Sequence, residues 1–349
     1  MSLYSLGSNG SGQLGLSHTT DISIPTLVKL PPKLRHANII AAHAGGNHTL
    51  LQTSSAEIYA AGDNSNGKCA SQLSGSTDFR ACNLVGDTKL SAATWEASFF
   101  VSADDGLVRV CGTGLKGELG LSAENTTTSS PTSIPNFPPQ GTNIVDLAAC
   151  MGHVVVVLNN GEVWGWGNDQ QGQLGDPAEV VWRPRKIQGL SFAAVRAVCA
   201  KDFTAVFGHP EQGTFAIFGL NKRDRFGVKV NLPGAIRGWK AVQATWGGVY
   251  VLMDDGKLTA WGRDDHGQLP PADLPKVEAI AAGSEHVLAL TTDGRVLTWG
   301  WGEHGNCGDP VDDRKDVKGR WNELCADGEP IAVGAGCATS WIVTKKEQR

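Results

Sequence analysis

Short apolar stretches that end in a glycine turn recur along the whole chain and predict β-strands. In each turn a lead glycine is followed by further glycines about five and eight positions later, as in GSNGSGQLG and GNDQQGQLG. The residue before each lead glycine is apolar, as expected for an inward residue at the end of a strand. Seven copies of the turn, some of them degenerate, begin at Gly7, Gly62, Gly112, Gly167, Gly219, Gly262 and Gly300. Their mean separation of about 49 residues is typical of repeated β-sheets.

A second strand-like element comes shortly before each later glycine turn and once more near the end of the chain. Its copies read AGGNHTLLQ, ATWEASFFV, ACMGHVVVVL, CAKDFTAVF, ATWGGVYVL, AGSEHVLAL and AGCATSWIV. Between the two elements lie pairs such as Asp105-Gly106 and Asn160-Gly161, which favour tight hairpins. No segment of useful length has the 3.6-residue apolar period of a helix. Each unit is therefore predicted to be an antiparallel meander.

The two ends of the chain each carry half a unit. The first glycine strand, Ser2 to Gly7, has no second element before it, and the last second element, Gly336 to Val343, has no glycine strand after it. Pairing these two halves closes a ring and leaves no unpaired sheet edge. We therefore predict an all-β fold: residues 1–349 form one seven-bladed β-propeller of four-stranded antiparallel blades, in which the N-terminal strand completes the C-terminal blade.

Composition agrees with a repeat protein. At roughly 150 residues per domain, 349 residues would suggest two domains, but a repeat accounts for this length without a second one. The 44 glycines follow no collagen-like period, and 41% of the residues are hydrophobic, which excludes a disordered chain. Two polar insertions, Ala123 to Pro139 and Asp309 to Glu329, are expected to be surface loops.

The charge pattern narrows the classes of partner. The formal net charge is −5, and no long basic run is present, so duplex DNA is not expected as a direct partner. The longest aliphatic run, Val154 to Leu158, is far shorter than the roughly 20 residues that cross a bilayer, and the first residues do not resemble a signal peptide. The eight cysteines never form C-x-x-C, so reduced thiols are expected rather than a zinc knuckle. We expect a soluble protein that contacts no membrane and is cytoplasmic, with a nuclear share.

The repeat resembles that of the regulator of chromosome condensation family of propellers, which carries an A-G-x-x-H-S element, a D-G hairpin and a W-G-x-N-x-x-G-Q-L-G turn. Within it, WGWGEHGNCG at Trp299 to Gly308, GAGCATSWIV at Gly334 to Val343 and GSEH at Gly283 to His286 resemble the fungal alpha-tubulin suppressor, or killer-toxin-insensitivity, group. This resemblance implies a heterodimer with a small CSL-type zinc-finger protein of diphthamide synthesis. It further implies support for modification of elongation factor two and, indirectly through Elongator, of wobble uridine in tRNA.

Positions that differ among the seven copies are candidates for binding, because blade geometry does not dictate them. The loop after the first strand of each blade and the turn after the lead glycine are expected on one face of the disc, since strand direction alternates. Aromatic residues with a charged rim are typical of a protein interface. The predicted partner-binding residues are Trp95, Glu96, Lys201, Asp202, Trp246, Arg263, Asp264, His266, Glu285, Glu303 and His304.

Two alternatives remain open for these residues. Trp95 and Trp246 would either anchor a partner or plug the central tunnel. His266 and His304 occupy the same register of neighbouring blades, so they could share a metal, although no third ligand with suitable spacing is present. A different histidine register, His48, His153 and His286, is predicted to be scaffold, each ring bonded to the backbone of its own blade.

The sequence favours a binding function over catalysis. It contains no G-x-S-x-G elbow, Walker loop or H-E-x-x-H pair, and the carboxylate pairs Asp254-Asp255 and Asp264-Asp265 lie in turn registers. We therefore predict no catalytic residue, no metal site and no cofactor. The alternative is a guanine-nucleotide exchange factor or effector-binding propeller for a small GTPase, which the family resemblance suggests and the lack of a basic N-terminal tail disfavours.

Overall fold

Seven antiparallel sheets arranged in a ring make up the described part of the protein. The computed structural model describes residues 1–230 and 232–345, and within these ranges 26 strands and two short 3-10 helices, Leu34–His36 and Ser65–Gly67, are defined. The inner strand of each sheet contacts the inner strands of both neighbours, and these contacts run round the full circle. The predicted seven-bladed β-propeller is therefore confirmed.

The strands are numbered along the chain, and the blades follow the same order. The chain opens with β1 (Ser2–Gly7) and β2 (Ile22–Leu27). Blade 1 contains β3 (Ile39–Ala44), β4 (His48–Thr53), β5 (Ile58–Asp63) and β6 (Gly75–Ala81). Blade 2 contains β7 (Thr88–Ala93), β8 (Ala97–Ser102), β9 (Val108–Thr113) and β10 (Thr127–Ser133). Blade 3 contains β11 (Ile144–Cys150), β12 (His153–Leu158), β13 (Val163–Gly167) and β14 (Val181–Lys186).

The second half of the ring continues in the same way. Blade 4 contains β15 (Ala194–Cys199), β16 (Phe203–Gly208) and β17 (Phe215–Gly219). Blade 5 contains β18 (Trp239–Ala244), β19 (Gly248–Met253) and β20 (Leu258–Gly262). Blade 6 contains β21 (Val277–Ala282), β22 (His286–Thr291), β23 (Val296–Trp301) and β24 (Asp316–Glu323). Blade 7 begins with β25 (Glu329–Ala335) and β26 (Thr339–Lys345) and is completed by β1 and β2.

Ring closure takes the predicted form. β1 lies between β26 and β2, and its register with β26 runs from Ser2 opposite Thr344 to Gly7 opposite Thr339. Leu3 and Leu6 are fully buried in this strand. The first residues of the chain therefore form a central strand of the last sheet.

The strand count differs from blade to blade. Five sheets have four paired strands, whereas blades 4 and 5 have three within the described residues. The spacing between lead glycines is shortest from these two blades onward, which leaves less chain for an outer strand. The expectation of surface loops at Ala123 to Pro139 and Asp309 to Glu329 is wrong in part, because these segments contain the outer strands β10 and β24.

Buried polar groups join neighbouring blades. The Nε2 atoms of His48, His153 and His286 each lie 2.9 Å from a hydroxyl of the next blade, Ser98 Oγ, Thr204 Oγ1 and Ser340 Oγ respectively. The predicted bond to the histidine's own blade backbone is therefore wrong, although all three rings are fully buried as expected of scaffold. Desolvation lowers the pKa of His48 and His153 to about 3 and that of His286 to about 4, so the rings are neutral near pH 7.

Tryptophans before the lead glycines add a second kind of link. Trp166 Nε1 donates to the carbonyl of Glu118 at 2.8 Å, and Trp299 Nε1 donates to that of Gln268 at 2.9 Å. Each acceptor belongs to the turn of the preceding blade, and both indoles are fully buried.

Within the described ranges, no helix has both the length and the apolar character needed to span a membrane.

Candidate functional site

The predicted common face exists, and we call it the loop face: the loops between the first two strands of each blade together with the turns after the lead glycines. In all seven blades the residue after the lead glycine donates its backbone N–H to the carbonyl of such a loop, as Asn168 does to Gly152 at 2.7 Å. Gly167 has a φ of 110°, and a Cβ there would collide with the Gly152 carbonyl oxygen. Only glycine permits this close approach, which explains the lead-glycine repeat.

Backbone hydrogen bonds connect the loops of successive blades round the tunnel mouth. Trp95 N donates to Met151 O at 2.9 Å, and Trp246 N donates to Ser284 O at 2.8 Å. Similar bonds run from Gly46 to Trp95, from Lys201 to Trp246 and from Ser284 to Gly336. The variable positions therefore have a fixed backbone, and only their side chains differ from blade to blade.

Trp95 and Trp246 meet over the centre of the disc. They come from blades 2 and 5 on opposite sides of the ring, yet their ring centroids are 5.9 Å apart with planes inclined by 43°. Both line the end of a central cavity of about 440 Å³ bounded by all seven inner strands. Both are also partly exposed. The pair therefore covers the tunnel mouth, as the plug interpretation predicts, while part of its aromatic surface faces outward.

The predicted charged residues Glu96, Lys201 and Asp202 lie in the corresponding loops of blades 2 and 4. Lys201 is exposed, and its Nζ lies 5.5 Å from the centroid of Trp246. Asp202 forms an ion pair with Arg225 at 3.3 Å. Glu96 pairs with Lys68, a buried lysine that also contacts Asp63 at 2.6 Å. Of these predicted residues, Lys201 has the most accessible charge.

Arg263 and Glu285 form an internal network. The Arg263 guanidinium binds both oxygens of Asp265, at 2.6 and 2.8 Å, and pairs with Glu285. Glu285 is only 3% exposed and also accepts a hydrogen bond of 2.8 Å from Gln268. Burial raises the pKa of the Glu285 carboxyl. Because the buried Glu285 carboxylate binds Gln268 and Arg263, its position favours a structural role over contact with a partner protein.

The two candidate metal-binding histidines point to different partners. His266 Nδ1 donates to Asp316 at 2.7 Å, and its ring stacks on Trp301 with centroids 4.9 Å apart. His304 Nδ1 donates to Asp21 at 2.9 Å. No group of three or more metal-ligating side chains is assembled in residues 1–230 and 232–345. The structure does not bring these histidines into one site.

The remaining predicted residues lie on exposed turns. Asp264 is exposed and accepts the backbone N–H of Leu269 at 3.0 Å, which stabilises its own turn. Glu303 is exposed beside His304. Of the predicted set, Trp95, Trp246 and Lys201 lie together at the centre, whereas Arg263, His266 and Glu285 have partners within the fold.

The turn that follows Gly219 is identified in the sequence as a repeat copy, but its residues were not included in the candidate site. The guanidinium groups of Arg225 and Arg263 lie 5.3 and 5.0 Å, respectively, from the ring centroid of Phe226. Lys222 and Arg223 in the same turn are exposed. The run Lys222 to Phe226 occupies a variable turn register, and its basic character was the signal that could have identified it.

Comparison with known proteins gives a consistent result. The sequence model of the RCC1-like domain matches residues 2–346. An RCC1 repeat-containing protein of Schizosaccharomyces pombe is 32% identical over 99% of this chain and 100% of its own length. A secretion-regulating guanine nucleotide exchange factor of Mus musculus is 27% identical over 79% of this chain and 64% of its own. The crystal structure of Prp20p from Saccharomyces cerevisiae superposes with a TM-score of 0.81 at 20% identity, covering 99% of this chain and 92% of that one, and this likeness concerns the fold.

Proposed function

Because this chain belongs to the RCC1-like domain family, we propose that it is a non-catalytic scaffold whose loop face binds a small CSL-type zinc-finger protein in a heterodimer. Through this complex it would support diphthamide synthesis on elongation factor two and, by way of Elongator, modification of wobble uridine in tRNA. The place of action would be the cytoplasm, with a nuclear share. The choice of partner rests on the motifs at Trp299 to Gly308 and Gly334 to Val343.

The observation that carries the binding role is the aromatic pair at the centre of the loop face. Trp95 and Trp246 contact each other and are partly exposed at the centre of the loop face, and Lys201 Nζ lies 5.5 Å from the ring centroid of Trp246. Indole rings surrounded by charged groups are frequent energetic centres of protein interfaces. A rigid disc with such a centre is suited to bind a folded partner without rearrangement.

A second candidate function is nucleotide exchange on a small GTPase. It is favoured by the name of the murine relative, a guanine nucleotide exchange factor that shares 27% identity with this chain. Exchange requires a wedge beside the bound nucleotide, whereas the Trp95–Trp246 pair is seated in the tunnel mouth. The scaffold function is therefore preferred.

One titration separates the two candidates. In isothermal calorimetry the purified CSL-type zinc-finger protein is expected to bind the full chain with a 1:1 stoichiometry and a Kd near or below the micromolar range. In parallel, release of a fluorescent guanine nucleotide from small GTPases should be no faster with the chain than with buffer. Absence of binding in the titration would overturn the scaffold proposal, and accelerated release would establish the alternative.

A further inference from the structure

A cluster of exposed cations lies on the loop face beside the aromatic pair, and we call it the blade 4 corner: Lys201, Lys222, Arg223 and Arg225. The turn that carries the last three packs on the loop of Asp202, because Leu220 N donates to Asp202 O at 3.2 Å. Arg225 also pairs with Asp202 at 3.3 Å. Lys201 is adjacent to Asp202 in sequence, so the four cations occupy one sector of the disc.

Most of this positive charge is unpaired. Lys201, Lys222 and Arg223 are exposed and form no ion pair with any residue in the described ranges. Asp224, the carboxylate within the turn, instead accepts the backbone N–H groups of Val228 at 2.9 Å and Lys229 at 2.8 Å. Since the whole chain carries a net charge of −5, this corner is opposite in sign to the molecule as a whole.

The rest of the loop face has fewer free cations: Lys116, on the turn of blade 2, is exposed and forms no ion pair within the described ranges. Arg263 is held by Asp265 and Glu285, and Lys68 is held by Asp63 and Glu96. Asp264 and Glu303 are exposed on blades 5 and 6. Free cations on this face are therefore concentrated on blade 4, whereas exposed carboxylates lie on blades 5 and 6.

We infer that the blade 4 corner binds an acidic segment of the protein partner, in which one or more carboxylates lie next to a large apolar side chain that covers Trp95 and Trp246. The position of Lys201 favours this arrangement, because its Nζ lies 5.5 Å from the Trp246 ring. A partner carboxylate bound to Lys201 would place the adjacent side chains of the partner over the two indoles. This inference rests on the proposed function for the identity of the partner. The acidic and apolar character of the bound segment is inferred from the surface itself.

An acidic polypeptide fits this surface better than a nucleic acid. A nucleic acid brings a continuous line of phosphates, which would pass close to Asp202, Glu96 and Asp264 on leaving the corner. A peptide can confine its carboxylates to the three free cations and present an uncharged side chain to the tryptophans. Such a charge arrangement mainly increases the association rate and partner specificity.

The test compares two double charge reversals. The variant Lys222→Glu/Arg223→Glu changes the corner, and Arg237→Glu/Lys257→Glu makes the same change in net charge at exposed positions on the opposite face. We expect the first to raise the Kd for the CSL-type zinc-finger protein at least about tenfold and the control less than about twofold. The corner variant should also lose most of the salt dependence of binding between 50 and 300 mM NaCl, a range over which the Debye length shortens roughly twofold.

Two further probes separate failure of this inference from failure of the proposed function. A synthetic peptide of glutamates with one central leucine should bind the wild-type chain more tightly than the corner variant, and a single-stranded oligonucleotide of equal charge should bind more weakly than the peptide. If the zinc-finger protein binds both chains equally, the corner inference is wrong and the proposed function stands. If the zinc-finger protein binds neither the wild-type chain nor the corner variant, the proposed function is wrong. The inference is then tested only by whether the acidic peptide binds the wild-type chain more tightly than the corner variant. Stronger binding of the oligonucleotide would overturn the inference.

Discussion

A chain that lacks residues 1–7 is expected not to fold. β1 is the third strand outward in blade 7, between β26 and β2, so its removal leaves β26 with an unpaired edge and disconnects β2 from the sheet. Leu3 packs with Trp341 and Val343 in the adjoining core. Because domains are stable by only roughly 5–15 kcal/mol, loss of two strand pairings and of this packing is expected to unfold the chain.

Two point substitutions make the same test without deleting the strand. Leu3→Ala, at a fully buried position of β1, should lower the free energy of unfolding by about 3 kcal/mol or more. Leu27→Ala is the matched control, because Leu27 lies in β2 of the same blade and is 58% exposed, and it should cost less than about 0.5 kcal/mol. Circular dichroism and denaturant unfolding measure both. A cooperative transition of the truncated chain at the wild-type midpoint would show that closure does not hold the ring together.

Replacing both central tryptophans is expected to abolish most of the partner affinity. Trp95→Ala with Trp246→Ala removes two indoles that touch each other and form the centre of the loop face. By analogy with aromatic residues at interface centres, the Kd for the CSL-type zinc-finger protein should rise on the order of 100-fold, or about 3 kcal/mol. Calorimetric titration at constant salt measures this change.

The fold should survive this change, because the two side chains extend from loops and pack over a tunnel. The melting temperature of the double variant should stay within about 5 °C of the wild type. Trp321→Ala is the matched control: Trp321 is also partly buried but lies on the outer strand β24, and its loss should leave affinity unchanged. Unchanged affinity of the double variant would mean that the indoles serve only to close the tunnel.

Most of the architecture was predictable because the blade geometry repeats in the sequence. The lead glycines, the apolar residues before them and the half-units at the chain ends each reflect one local constraint, so seven copies made the signal unambiguous. The outer strands β10 and β24 escaped prediction because they pack on one side only and are rich in polar residues. Without alternating apolar residues, such a strand resembles a loop in sequence.

The candidate site was predictable in position but not in detail. Variation among the repeats selected Trp95, Lys201 and Trp246 as candidates, because comparing the seven copies requires only the register of each residue within its repeat. Whether a charge is free depends on partners distant in sequence, such as Asp316 for His266 and Glu285 for Arg263. The same limit applies to His48, whose hydroxyl partner Ser98 belongs to the next blade. Pairings across blades follow from the ring geometry, which one repeat does not encode.

The most direct test of a loop-face scaffold is hydrogen–deuterium exchange of the chain with and without the CSL-type zinc-finger protein. Binding at the loop face should slow exchange in residues 94–96, 200–203, 220–226 and 245–247, with no change in the hairpins at 54–57, 103–106, 159–162 and 254–257 on the other face. Protection of those hairpins, with the loop face unchanged, would contradict a loop-face scaffold.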